Sequence, residues 1–134
     1  MKIRSVLLGS AGTVLMVVAM STLLSLFSTF SAPVVGDPDW KQTHNQLVGL
    51  TSVKALTIGA WCISALVGGM IAGFVAESRL VLHSFAAGSL VAVLWGLPSV
   101  LIGGTNLSPV HLLSIAAIIP FSSLGGYVVS RVRT

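Results

Sequence analysis

The chain has 134 residues, of which 54% are hydrophobic and 7% charged, with a mean hydropathy of +1.00. Soluble domains carry about 25% charged residues, so this chain cannot cover a water-facing surface and reads as one integral membrane domain over residues 1–134. Its net charge of +4 and pI near 10.0 come from only seven Lys and Arg at the ends of apolar runs, which excludes a nucleic-acid surface.

The first predicted membrane helix covers residues 5–30, after Met1-Lys2-Ile3-Arg4. A basic start before an apolar run also describes a signal peptide, but a signal core is about 7–15 residues long and this run is longer. Ala32 is followed by Pro33, which makes a poor cleavage site; Ser31 with Thr29 is the alternative one. The run therefore reads as a retained helix, with Ser5, Gly9, Thr13, Ser21, Ser25 and Thr29 on one four-spaced line broken by Val17.

Residues 31–54 are the one substantial polar segment, expected on the outer side. Asp37 reads as an N-cap with Pro38 at the first helical position and Asp39 in the first turn. A short interfacial helix near 38–50 follows, with Trp40 at headgroup level. The second membrane helix, residues 55–76, begins after Lys54 and has enough length to span. It carries two small-residue ridges: Ala60, Ser64, Gly68, Ala72 and Ala76 on one, and Ala65, Gly69 and Gly73 on the other, the last two forming GxxxG. Glycine costs about 1 kcal/mol in an ordinary helix interior, a cost that close backbone approach offsets between membrane helices.

Glu77-Ser78-Arg79 is so short a link that helices two and three must form an antiparallel hairpin. The third helix, 80–102, presents Ser84, Gly88, Ala92 and Gly96 at four-residue spacing. The fourth, 110–129, follows an uncharged turn and carries Pro120, where a kink is expected because the bond to the Ala116 carbonyl is lost. Ser122, Gly126 and Ser130 supply its small face. The fold class is thus all-α: a transmembrane four-helix bundle of two hairpins, its closest pair expected between helices two and three through Gly68, Gly69, Ala72 and Gly73 against Gly88, Ala92 and Gly96. Lys2, Arg4, Arg79, Arg131 and Arg133 at one end, against Lys41 and Lys54 at the other, predict cytoplasmic termini in a plasma (inner) membrane.

Gly68-Gly69-Met70-Ile71-Ala72-Gly73-Phe74, then His83 to Gly96, then Gly125-Gly126-Tyr127 resemble a loose group of uncharacterised four-helix bacterial or archaeal membrane proteins. They share GG-x-x-AG-aromatic near the end of helix two, a short link, and a His before a small-residue helix. The resemblance covers residues 55–131 and implies fold and membrane location only. Within the chain, Ala72–Arg79 also resembles Gly125–Arg131 with one residue skipped. This suggests either two parallel hairpin copies or a recurrent way of ending such a helix.

No residue pattern compels catalysis. GxSxG, HExxH, CxxC and a phosphate loop are absent from the sequence, and the single cysteine, Cys62, allows no intrachain disulfide. The carboxylates Asp37, Asp39 and Glu77 all lie outside the apolar runs, which argues against a proton-coupled exporter like the small multidrug carriers. His83 lacks a second ligand at metal spacing and is expected to snorkel or bond a carbonyl; His44 and His111 with Asp37 or Asp39 give no specified site. Pro120 with Ser114, Ser122 and Ser123 forms a candidate broken-helix site near the midplane, with His83 as a further polar candidate, although serines also serve carbonyls freed by a proline. Trp95 is expected to fill space or face lipid. The reading is a non-enzyme without cofactor or metal, whose partners are the bilayer and other membrane helices, in a homo-oligomer or larger complex. A small channel or transporter for a neutral or weakly polar solute, using the Pro120 kink and the hydroxyl faces of helices one and four, is the alternative.

Overall fold

The computed structural model describes residues 3–31, 51–103 and 109–133. They form four α-helices: α1 (Ile3–Ser31), α2 (Thr51–Val75), α3 (Leu80–Gly103) and α4 (Pro109–Val132). Each is long and apolar enough to cross a membrane, and at about 1.5 Å per residue each exceeds the roughly 30 Å hydrocarbon layer. The expected helices are all present, with shifted ends. α2 starts at Thr51 and so takes in Lys54, and α4 runs on to Val132, which places Arg131 in its last turn, where a cation suits the helix dipole. The interfacial helix near 38–50 lies outside the described residues.

Pro98 and Pro120 both sit within continuous helix. Pro109 opens α4, a position where its missing N–H would have had no intrahelical partner. The turn between α2 and α3 leaves Ala76 to Arg79 outside helix, and Arg79 adopts the left-handed conformation with φ 51°. Its carbonyl accepts the N–H groups of Leu82 (3.0 Å) and His83 (3.2 Å), so the reversal is fastened as α3 begins.

α2 packs most extensively on α4 and then on α1, and α3 packs chiefly on α4. α1 and α4 lie across the bundle from one another. This corrects the expectation that helices two and three are the closest pair. The short link makes them antiparallel neighbours in sequence, but Gly68 is aimed at α1, and Gly69 and Gly73 at α4.

The interior is built from small side chains. Ile118, Val91 and Val129 are the largest that are fully buried, beside Ser5, Thr13, Ser64, Ser84, Ser114 and Ser122. Many leucines point outward, among them Leu7, Leu15, Leu94, Leu97 and Leu101. A soluble protein would bury these, but lipid is as apolar as leucine, so association here rests on close contact and interhelical hydrogen bonds.

Candidate functional site

The two Gly-Gly dipeptides organise the contacts. Consecutive helical residues are about 100° apart, so neighbouring glycines face different helices. A Cβ on Gly68 would meet Thr13 Oγ1 and, at 2.7 Å, the Gly9 carbonyl of α1. A Cβ on Gly69 would meet the Ser122 carbonyl oxygen of α4 and lie 2.8 Å from Ser122 Cα. Gly125 answers Gly69 from the other side: its Cβ would strike the Leu66 carbonyl and approach Met70 N at 2.8 Å. Its neighbour Gly126 turns to α3, where a Cβ would meet Ser84 Oγ and, at 3.1 Å, the Leu80 carbonyl. Only a missing side chain permits such backbone approach.

The other small residues grade away from this seam. Gly73 faces Val129 at 3.2 Å, and Gly88 faces Ser122 Cβ at 2.7 Å, each distance taken from an added Cβ. Gly96 has ordinary clearance from Ile115 at 3.4 Å. Ala72 is fully buried under Gly9 of α1, and Ala92 is buried on α3. Thus Gly73, Gly88 and Gly96 meet α4, whereas Gly68 and Ala72 meet α1.

Serine hydroxyls tie the same helices. Ser122 donates to the Ser84 carbonyl (2.7 Å), and Ser84 donates to the Gly69 carbonyl (2.7 Å) and, more weakly, the Leu80 carbonyl (3.0 Å). Ser10 of α1 donates to Val6 (2.8 Å) and reaches the Ala87 carbonyl of α3 at 3.2 Å. No buried side-chain nitrogen or oxygen lacks a partner among the described residues, as a low-dielectric interior demands.

The residues singled out for a polar site do not converge. Ser122 is fully buried and committed to α3, whereas Pro120, two residues earlier, is exposed. Ser123 donates to Ile119 (2.9 Å), so neither serine takes the Ala116 carbonyl that the proline frees. His83 is buried, with Nδ1 3.0 Å from the Arg79 carbonyl, and acts locally at the turn. The hydroxyl faces of α1 and α4 point to α2 and α3 rather than to each other.

At the end of the bundle away from Arg79, Trp61 is buried with its ring 5.5 Å edge-on to Trp95 and 6.4 Å from His111. Trp95 therefore packs on a second indole and is partly exposed. Here α1 separates from its neighbours. A groove of about 870 Å³ runs between Leu23 and Leu24 of α1 and Ala55, Gly59 and Ile63 of α2. A smaller one of about 410 Å³ lies between Ser21, Thr22 and Ser25 of α1 and Trp95 of α3. Sequence reasoning missed this divergence, although the absence of any glycine on α1 beyond Gly12 was a readable signal of it. Among the described residues, no three of His, Cys, Asp and Glu come together in a metal-binding cluster.

At the Arg79 end the charges are divided. Arg133 donates from Nη1 to the Ala76 carbonyl (2.8 Å) and from Nη2 to the Phe74 carbonyl (2.9 Å), which caps the carboxyl end of α2. Arg131 donates from Nε to Tyr127 Oη (2.9 Å) and lies 5.2 Å from the centre of that ring.

The arrangement defines a multi-pass α-helical membrane protein whose buried groups hold helices together. Comparison with protein-family models, with curated proteins and with solved structures gives no match for the chain.

Proposed function

We propose that the chain is a non-enzymatic membrane subunit acting through helix packing, as a stabilising partner in a larger complex or as a homo-oligomer. The observation that supports this is the use made of the buried polar groups. Ser84 and Ser122 spend their hydroxyls on carbonyls of neighbouring helices. The grooves beside the divergent half of α1 leave contact surface for other membrane components. The motif from Gly68 to Phe74 supports a place among the uncharacterised four-helix membrane proteins it resembles. We place the protein in a plasma (inner) membrane, and its Lys and Arg distribution supports cytoplasmic termini there.

Two measurements test this reading. Extracted from its own membrane in mild detergent, the protein should run as an oligomer or carry a stoichiometric protein partner in native mass spectrometry. A cysteine at Ser78 should react with an impermeant maleimide only from the cytoplasmic side; labelling from outside would reverse the topology.

The groove lined by Ser21, Thr22 and Ser25 favours the second reading, a small channel or transporter for a neutral or weakly polar solute. A lone monomer that conducts such a solute in liposomes would establish it and remove the first.

A further inference from the structure

The four described arginines at one end of the bundle are not equivalent. Arg131 and Arg133 are spoken for by Tyr127 and by the last carbonyls of α2. Arg4 and Arg79 are exposed, and their guanidinium groups make no hydrogen bond or ion pair among the described residues. Glu77, the one described carboxylate, has its own partner.

Arg4 and Arg79 also share a level. α1 and α3 run parallel and are joined where Ser10 reaches the Ala87 carbonyl at 3.2 Å. Arg4 precedes Ser10 by six residues, and Arg79, just before α3 begins, precedes Ala87 by eight, so each lies roughly 9–12 Å beyond that rung. The helices begin there, at the boundary where the apolar spans starting at Ile3 and Leu80 meet the headgroups. The Arg79 backbone is fixed, because its carbonyl holds both Leu82 N–H and His83 N–H.

We propose that Arg4 and Arg79 form a docking surface for anionic phospholipid headgroups at this end of the bundle. Arg133, tied to the end of α2, and Arg131, paired with Tyr127 on its own helix, contribute little to it. The occupant follows from charge complementarity at a defined depth. These two guanidinium groups, unpaired among the described residues, stand where phosphates lie, and arginine binds a phosphate through paired N–H donors. The reading requires only that the helices span the bilayer and is independent of the proposed subunit role.

The test is native mass spectrometry of the full chain in non-ionic detergent, with equal amounts of dioleoyl phosphatidylglycerol and dioleoyl phosphatidylcholine. Each arginine near a membrane surface contributes about five-fold, equivalent to about 1 kcal/mol, so a preference of roughly 25-fold for phosphatidylglycerol is expected at low salt. Arg4→Gln combined with Arg79→Gln should remove most of that preference, and the paired lysine variants should keep it. Arg131→Gln should leave it unchanged, and excess inorganic phosphate should not displace the lipid. Equal binding of the two lipids would overturn the proposal. So would a preference that survives the double glutamine variant, is lost as fully in Arg131→Gln, or yields to phosphate alone.

Discussion

Gly69→Ala should be the most destabilising single-methyl change in the protein. The added Cβ would enter the backbone of Ser122, 2.7 Å from its carbonyl carbon and 2.8 Å from Cα, as well as its carbonyl oxygen. A flexible side chain could swing aside, but a helix backbone cannot. Over-packing an interior typically costs about 1–3 kcal/mol, and this contact belongs at the upper end, because α2 and α4 must separate along the seam that Gly69 shares with Gly125. Gly59→Ala is the matched control. Its Cβ meets nothing within 4 Å, so only the helix-propensity gain of up to about 1 kcal/mol remains. Thermal unfolding of the purified protein in mild detergent should show shifts of opposite sign. Shifts of equal sign and size would mean that α2 and α4 do not approach at Gly69.

A series at Ser122 should separate the hydrogen bond from the space it occupies. Ser122→Ala removes the donor to the Ser84 carbonyl (2.7 Å) and keeps the Cβ. Interhelical hydrogen bonds in membranes average about 0.6 kcal/mol and reach about 1.7, so the loss should be modest. Ser122→Leu must fit a branched side chain where Gly88 already stands so close that its own Cβ would lie 2.7 Å from Ser122 Cβ. That change should prevent stable assembly. In consequence, Ser122→Leu cannot serve alone as evidence for a conducting hydroxyl, whereas Ser122→Ala can. A large stability loss in Ser122→Ala, matching the leucine variant, would contradict this division.

The four helices were legible because apolar runs of spanning length leave few other structures possible in lipid. Their faces were harder to read. Gly68 and Gly69 both stand out in the sequence, yet a ridge drawn at four-residue spacing gives a face and not the identity of the helix opposite. The Glu77–Arg79 link suggested α3 as that helix, since adjacency in sequence is the strongest cue a single chain offers. Packing instead followed the small residues of α4, Ser122 and Gly125, with Gly125 passed over because Gly126 fell on the expected ridge with Ser122. Pro120 drew attention as a helix breaker, but it lies on an exposed face of a continuous helix, apart from the buried Ser122. The partners of Arg133 were out of reach, because a contact between the last turn of α4 and the carboxyl end of α2 depends on which helices lie side by side.

The division of labour between Gly68 and Gly69 sets an order of assembly during synthesis. The Gly9–Gly68 contact needs only α1 and α2, which emerge first, so that half of the bundle can close early. The face centred on Gly69 and Gly73 lacks its close-packed partner until α4, the last helix, enters the membrane, and Gly88 waits for the same helix, although Ser84 of α3 can already reach the Gly69 carbonyl. A nascent chain that has not yet delivered Pro109–Val132 therefore holds two helices with open glycine faces. During that interval the protein is most exposed to pairing with the wrong helix, and an insertion chaperone would have most to shield.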